Sequence, residues 1–275
     1  MEQSIIEFFS PEKQPIHLSL IFLTFILCWN LENIIGITTD YKRYKHLANN
    51  FLFTIPGALI QFLVGIGFIK ALMFLNFKKV GLIHFLGIKS VLLEILVTFV
   101  FLDFTYWLYH FLMHKIEFLW KFHAVHHSDH VLNVSTSLRE HPVETVIRLS
   151  HYVLAVCFLG TNLWIITMHQ FIQVVSKIII HGNFRLSEPV DKVLSYFILT
   201  PNMHHAHHHY MQPNTDSNYG DLFSFWDRVF GTFTHMTKDQ VKFGLDVEEF
   251  TDHTSKNMKF VGLVKIPFSG KKLSN

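Results

Sequence analysis

The chain has 275 residues, half of them hydrophobic and only 16% charged, with 29 Phe and a formal net charge of +2. Soluble domains carry about 25% charged residues, so this composition lacks the polar surface that water demands and points to a bilayer. No basic stripe with interleaved aromatics suggests nucleic acid, and two cysteines, Cys28 and Cys157, cannot supply an iron–sulfur cluster or a disulfide framework.

The start, MEQSIIEFFSPEKQPIH, places acidic and polar residues before any apolar stretch. A cleaved signal peptide begins with a positive region, so Ile16 onward reads as a retained first membrane segment. That segment runs to about Ile37 and carries Glu32 near its end, where it stops short or turns a polar face inward. The second apolar region covers about Phe51 to Phe77. The third, about Gly81 to His114, would be roughly 50 Å long if helical throughout, longer than the ~30 Å hydrocarbon layer. Its C-terminal end, with Asp103, His110 and His114, should protrude toward the headgroups. The fourth, about Thr145 to Ile180, is too long for one span and is interrupted by Gly160-Thr161-Asn162, a turn signal. It reads as a helical hairpin that enters and returns.

The fold class expected is therefore all-α: a polytopic bundle of about four spans, including the hairpin, under a histidine-rich helical cap, in one integral-membrane domain over residues 1–275. Counting crossings puts the Tyr41–Asn50 loop, the His110–His141 region and the His181–His209 region on one side. Lys42, Arg43 and Lys45 mark that side cytoplasmic by the positive-inside rule, although Lys78 and Lys79 pull the other way. The location expected is a multi-pass protein of a bacterial inner membrane or the endoplasmic reticulum. Residues 269–275 read as a loose tail.

Histidine is the anomaly: there are 20, against 23 Lys and Arg together. His110 and His114 lie four apart, on one helix face. Asp103, two turns earlier on that face, could accept a ring N–H and fix a tautomer. His123, His126 and His127 form an i, i+3, i+4 triplet. The run from His204 to His209 holds the same spacing twice, as His204/His207/His208 and as His205/His208/His209. A chance pair is common; a pair and two triplets on one membrane face are not a chance surface cluster. Eight imidazoles exceed the four to six ligands of one first-row metal and suit two ions held close together. Imidazole alone does not choose among Zn, Cu, Fe and Ni. A structural zinc site would be closed and usually cysteine-rich, and the zinc-protease His-Glu-x-x-His helix is lacking. Glu94 and Lys177, charged within apolar runs, are either functional candidates or residues that snorkel or face a helix interface. His17, His46, His84, His151, His169, His235 and His253 are scattered and read as ordinary.

These residues resemble the fatty acid hydroxylase/sterol desaturase superfamily of membrane oxygenases, which carries His-x-x-x-His and two His-x-x-His-His boxes. The resemblance continues through Asn133, Ser135-Thr136, Arg139-Glu140-His141-Pro142-Val143-Glu144, Asp216, Asn218-Tyr219-Gly220 and Phe225 to Thr232, covering about residues 95–235. The layout around Asn218-Tyr219-Gly220 and Trp226-Asp227-Arg228 is most similar to the alkylglycerol monooxygenase branch. Family spacing favours the His204/His207/His208 register and adds His181 as a ninth ligand. The resemblance implies two iron ions, with zinc as a substitute, O2, an external electron donor and a lipid substrate. It implies hydroxylation or desaturation of a C–H bond, with Asp103, Asp216 and Asn218 as residues that orient the ligands. The competing expectation is a membrane zinc-binding or transport protein, which would place its ligands near the midplane, not at one face.

Overall fold

A computed structural model describes residues 2–246, 258–269 and 273. Among them the chain is helical, with only two isolated bridges, Ile198 to Phe223 and His209 to Phe243. Five stretches are long and apolar enough to cross a membrane: 11–35, 43–85, 91–115, 142–159 and 163–180.

In chain order, α1 (Glu2–Phe8) leads to α2 (Gln14–Ile35), α3 (Arg43–Phe51), α4 (Thr54–Phe77) and the short α5 (Leu82–Phe85). Next come α6 (Val91–Lys115), α7 (Glu117–His127), α8 (Pro142–Leu159) and α9 (Leu163–Ile180). The more polar remainder holds α10 (Glu188–Leu194), α11 (Pro201–His207), α12 (Phe225–Val229) and α13 (Phe260–Lys265). Helices α2 and α4 are the least enclosed: 11% and 6% of the apolar windows in their stretches are buried, against 33% and 39% for α8 and α9.

The third apolar region is not one continuous helix. Gly81, at φ 130°, and Gly87, at φ 62°, adopt backbone that side chains disfavour, and α6 starts only after Ser90, whose hydroxyl caps Leu93 N at 3.4 Å. Its 25 residues span about 37 Å, still enough to carry His110 and His114 toward the membrane boundary.

The hairpin turns where the sequence places it. Gly160 ends α8 in the left-handed conformation (φ 68°), and a Cβ there would lie 2.4 Å from Val80 O. Glu94, buried on α6, accepts from Thr161 Oγ1 at 2.9 Å and from Asn162 N at 3.0 Å. It therefore satisfies the exposed N–H end of α9 inside the bundle, a structural role that accounts for an acid at this depth. Glu32 turns inward: its Oε1 accepts from Val134 N (2.7 Å) and Asn183 N (2.8 Å). Lys177 lies 3.7 Å from Glu140, which also pairs with Arg148.

The expected loose tail is corrected in part. Leu273 is buried with Phe53, Trp120 and Leu263, in an apolar cluster between the α3–α4 junction, α7 and α13. The remaining tail residues after Ser269, and His253, lie outside the described residues.

Candidate metal centre

Four elements converge at the end of α6. Helix α6 supplies His110 and His114, α7 supplies His123, His126 and His127, the residue after α9 is His181, and α11 with its C-cap supplies His204, His207 and His208. The structure brings all nine into two groups. One holds His110, His114, His123, His127 and His207; the other holds His126, His181, His204 and His208. Within each, one nitrogen per ring lies within 4.8 Å of all the others. The groups adjoin: His127 stacks on His208 with centroids 4.4 Å apart, and His207 is 5.3 Å from His208.

The sequence boxes do not map one to a group. A helix places residues three and four apart on slightly different azimuths, so His123 and His127 turn to the first group and His126 to the second. The third box divides likewise. His205 turns away to Gly182 O at 2.9 Å, and His209 accepts from Lys242 N at 3.2 Å.

Ring orientation is set from outside. His126 Nδ1 donates to Arg139 O at 3.0 Å and His181 Nδ1 to Lys177 O at 2.7 Å. A carbonyl only accepts, so both Nδ1 atoms carry the proton, and both Nε2 lone pairs then face each other at 3.1 Å. In the first group His110 Nδ1 donates to Tyr219 O (3.0 Å) and His123 Nδ1 to Glu144 Oε1 (2.6 Å), while their Nε2 atoms meet at 3.1 Å. His207 Nδ1 donates to Ser217 O at 2.6 Å, and its buried Nε2 has no partner among the described residues. Burial pushes the His207 pKa down to about 3 and those of His126, His127, His181, His204 and His208 well below the ordinary value. Neutral rings with inward lone pairs at this spacing repel one another unless a cation sits between them. The donor set therefore fits two metal ions.

The three carboxylate and amide candidates have different surroundings. Asp216 Oδ1 meets His114 Nδ1 at 3.2 Å, and its Oδ2 pairs with Lys115. Asp103 does not reach a ring. Its carboxylate accepts from Leu222 N (3.0 Å), Phe223 N (3.3 Å) and Trp226 Nε1 (2.8 Å), N–H donors on the returning chain that would otherwise lack an acceptor among the described residues. Asn218, in the left-handed conformation (φ 51°), ties Met203 O and Thr234 to its loop and touches no ring by hydrogen bond.

Sequence reasoning missed three positioning groups. Glu144 is one turn into α8 and holds His123. Asp227 accepts from Tyr219 N (2.8 Å), Gly220 N (3.0 Å) and Trp107 Nε1 (3.0 Å), which aims Tyr219 O at His110. His46, taken as ordinary, bonds Asp129 at 2.7 Å in a buried network that also holds Arg139, whose carbonyl orients His126. Glu144 and Asp227 both lie inside the motif stretches quoted above, so position was visible and partner was not.

Comparison with known proteins supports the same region. The family model described as fatty acid hydroxylase matches residues 95–232. The alkylglycerol monooxygenase of Caenorhabditis elegans is 30% identical over 135 residues, 48% of this chain and 25% of that protein. The ornithine lipid hydroxylase of Rhizobium tropici is 30% identical over 145 residues, 51% of this chain and 41% of its own length. Human lathosterol oxidase is 29% identical over 188 residues, 60% of this chain and 54% of that protein. The matched stretch is thus well under two thirds of each relative. No solved structure matches significantly.

Proposed function

Because this chain belongs to the fatty acid hydroxylase family, we propose that it is a membrane di-iron oxygenase that hydroxylates or desaturates a C–H bond of a lipid, with O2 and an external electron donor. The observation that carries this reading is the pair of buried histidine groups whose Nε2 lone pairs converge at 3.1 Å in each. Nine imidazole nitrogen donors suit two ions with positions left open, and imidazole suits iron among others. Two relatives at 30% identity and one at 29% bear names that join oxidation to a lipid.

Bound ferrous ions would supply reduction of dioxygen and removal of hydrogen from the substrate carbon. The chain's own residues prepare that chemistry. Arg139, Lys177, Tyr219 and Ser217 carbonyls fix the Nδ1 tautomer of four rings, leaving Nε2 to ligate. Glu144 and Asp216 do the same for His123 and His114 with negative charge, which strengthens the ligand nitrogen. His127 and His208 are fully or almost fully buried, at 0% and 1% exposure, so bulk water is kept from the reacting position. A site at the end of membrane helix α6 lies within reach of a lipid held in the bilayer. Lys42, Arg43 and Lys45, at the start of α3, support a cytoplasmic location.

The test is direct. Purified protein should contain iron, close to two ions per chain. With a reductant and a membrane lipid extract it should consume oxygen and yield a product heavier by one oxygen or lighter by two hydrogens. Zinc alone, no oxygen uptake and metal flux across vesicles would overturn this proposal in favour of transport.

A further inference from the structure

A second polar site lies behind the metal centre. A cavity of about 290 Å³ is lined by Arg185, Lys238, Lys242, His130, His205 and, at its apolar edge, Ile37. Its described lining contains no carboxylate. The described acids nearest in chain are engaged elsewhere or exposed: Asp129 with His46 (2.7 Å) and Arg139 (3.4 Å), Glu188 with His235 (3.1 Å), Asp191 with Thr200 (2.6 Å), and Asp40 and Asp239 open to solvent.

The walls are built, not incidental. The Lys238–Phe243 segment is held by Tyr210 N to Lys242 O (2.8 Å) and by Lys242 N to His209 Nδ1 (3.2 Å), beside a capped turn at Lys238–Gln240. The opposite wall is held by Ile37 N to Asn183 O (3.0 Å) and Thr38 N to Asn183 Oδ1 (3.1 Å). Arg185 Nη2 donates to Met236 O at 2.6 Å, but its Nη1 is buried with no acceptor among the described residues.

The position selects the kind of anion. Ile37 and Thr38 come just after membrane helix α2, which ends at Ile35, so one wall of the cavity adjoins the end of that helix. Basic pockets there take lipid phosphates. Its volume is at the small end of ligand sites, which run roughly 300–1,000 Å³, enough for a head group and not for acyl chains. We infer that this cavity binds the phosphate of an anionic lipid head group, through Arg185, Lys238 and Lys242, while the chains remain in the bilayer beside α2. The inference goes beyond the oxygenase reading and does not depend on it.

The experiment titrates full-length, metal-loaded protein in detergent with a short-chain phosphatidic acid, with the matching diacylglycerol and with inorganic phosphate. Phosphatidic acid should bind and diacylglycerol should not compete. Lys238 and Lys242 are exposed, so Lys238→Ala/Lys242→Ala should fold normally and bind roughly thirtyfold more weakly, as expected for two lost basic contacts at a membrane surface. Arg185→Gln should weaken binding as well. Unchanged affinity in the double variant, or equal binding of diacylglycerol, would overturn the inference. Inorganic phosphate binding as tightly as the lipid would overturn the lipid source in favour of a free-anion site. Binding is read without turnover, so a chain that bound the lipid yet consumed no oxygen would sink the oxygenase and leave this pocket standing.

Discussion

The two histidine groups differ in what stands behind them. In the five-histidine group, two rings lean on carboxylates, His123 on Glu144 and His114 on Asp216. In the four-histidine group, the Nδ1 partners among the described residues are backbone carbonyls, those of Arg139 and Lys177. A carboxylate raises the basicity of the ring it holds and adds negative charge beside a cation, whereas a carbonyl mainly fixes orientation. Glu144 is the stronger case, buried and, among the described residues, without a Lys or Arg ion pair, while Asp216 shares its charge with Lys115. Two sites that look alike as histidine counts are thus unequal as electrostatic environments.

The largest effect expected is common to both groups. His207→Ala and His126→Ala, one ligand from each, should each abolish turnover while the protein remains membrane-inserted; retained oxygen uptake in both would break the assignment. Glu144→Gln keeps an acceptor near His123 but removes the charge, and should weaken metal affinity or activity about 10- to 100-fold. That loss should fall on the five-histidine group alone, read by metal content per chain. A chelator should remove one ion from the native protein several-fold faster than the other, and Glu144→Gln should erase the difference. Equal release from native protein would show that the carboxylates do not distinguish the sites.

A smaller effect concerns pH. Burial depresses His207 to about 3 and His205 to about 4, whereas an unfolded chain has histidines near 6.5. Between those values the unfolded state binds more protons, so stability is full above about pH 6.5 and declines as pH falls toward 3. The slope is about 1.4 kcal/mol per pH unit for each such histidine. Melting of the metal-free protein in detergent should therefore drop steadily from pH 7 to pH 5, and a flat profile would show the rings to be hydrated or already protonated.

Much of this was legible in the chain. The hairpin announced itself through Gly160-Thr161-Asn162 because a left-handed residue between apolar runs has few other uses. The histidine boxes were visible as helical spacings, and helical spacing is local. Partners were not legible, because they are set by chain contacts far apart in sequence. Asp103 shows the limit: helical periodicity aims it along the His110 face, yet its carboxylate meets Leu222 and Trp226, more than a hundred residues on. Backbone carbonyls, which orient four rings, leave no mark on side-chain identity at all. The division of one box between two groups also needed three dimensions, since His126 and His127 are neighbours in sequence but face different sites.

The crossing at Gly81 and Gly160 acts as a depth gauge. Neither residue leaves room for a side chain, since a Cβ on Gly81 would lie 2.6 Å from the Gly160 Cα, so the hairpin tip can seat at one level only. The arms that rise from it, α8 and α9, are each 18 residues long. One arm carries Glu144 in its first turn, and the other leads directly into His181. The close contact at the tip, which involves no histidine, thus anchors the two helices that carry a partner of one histidine group and a member of the other.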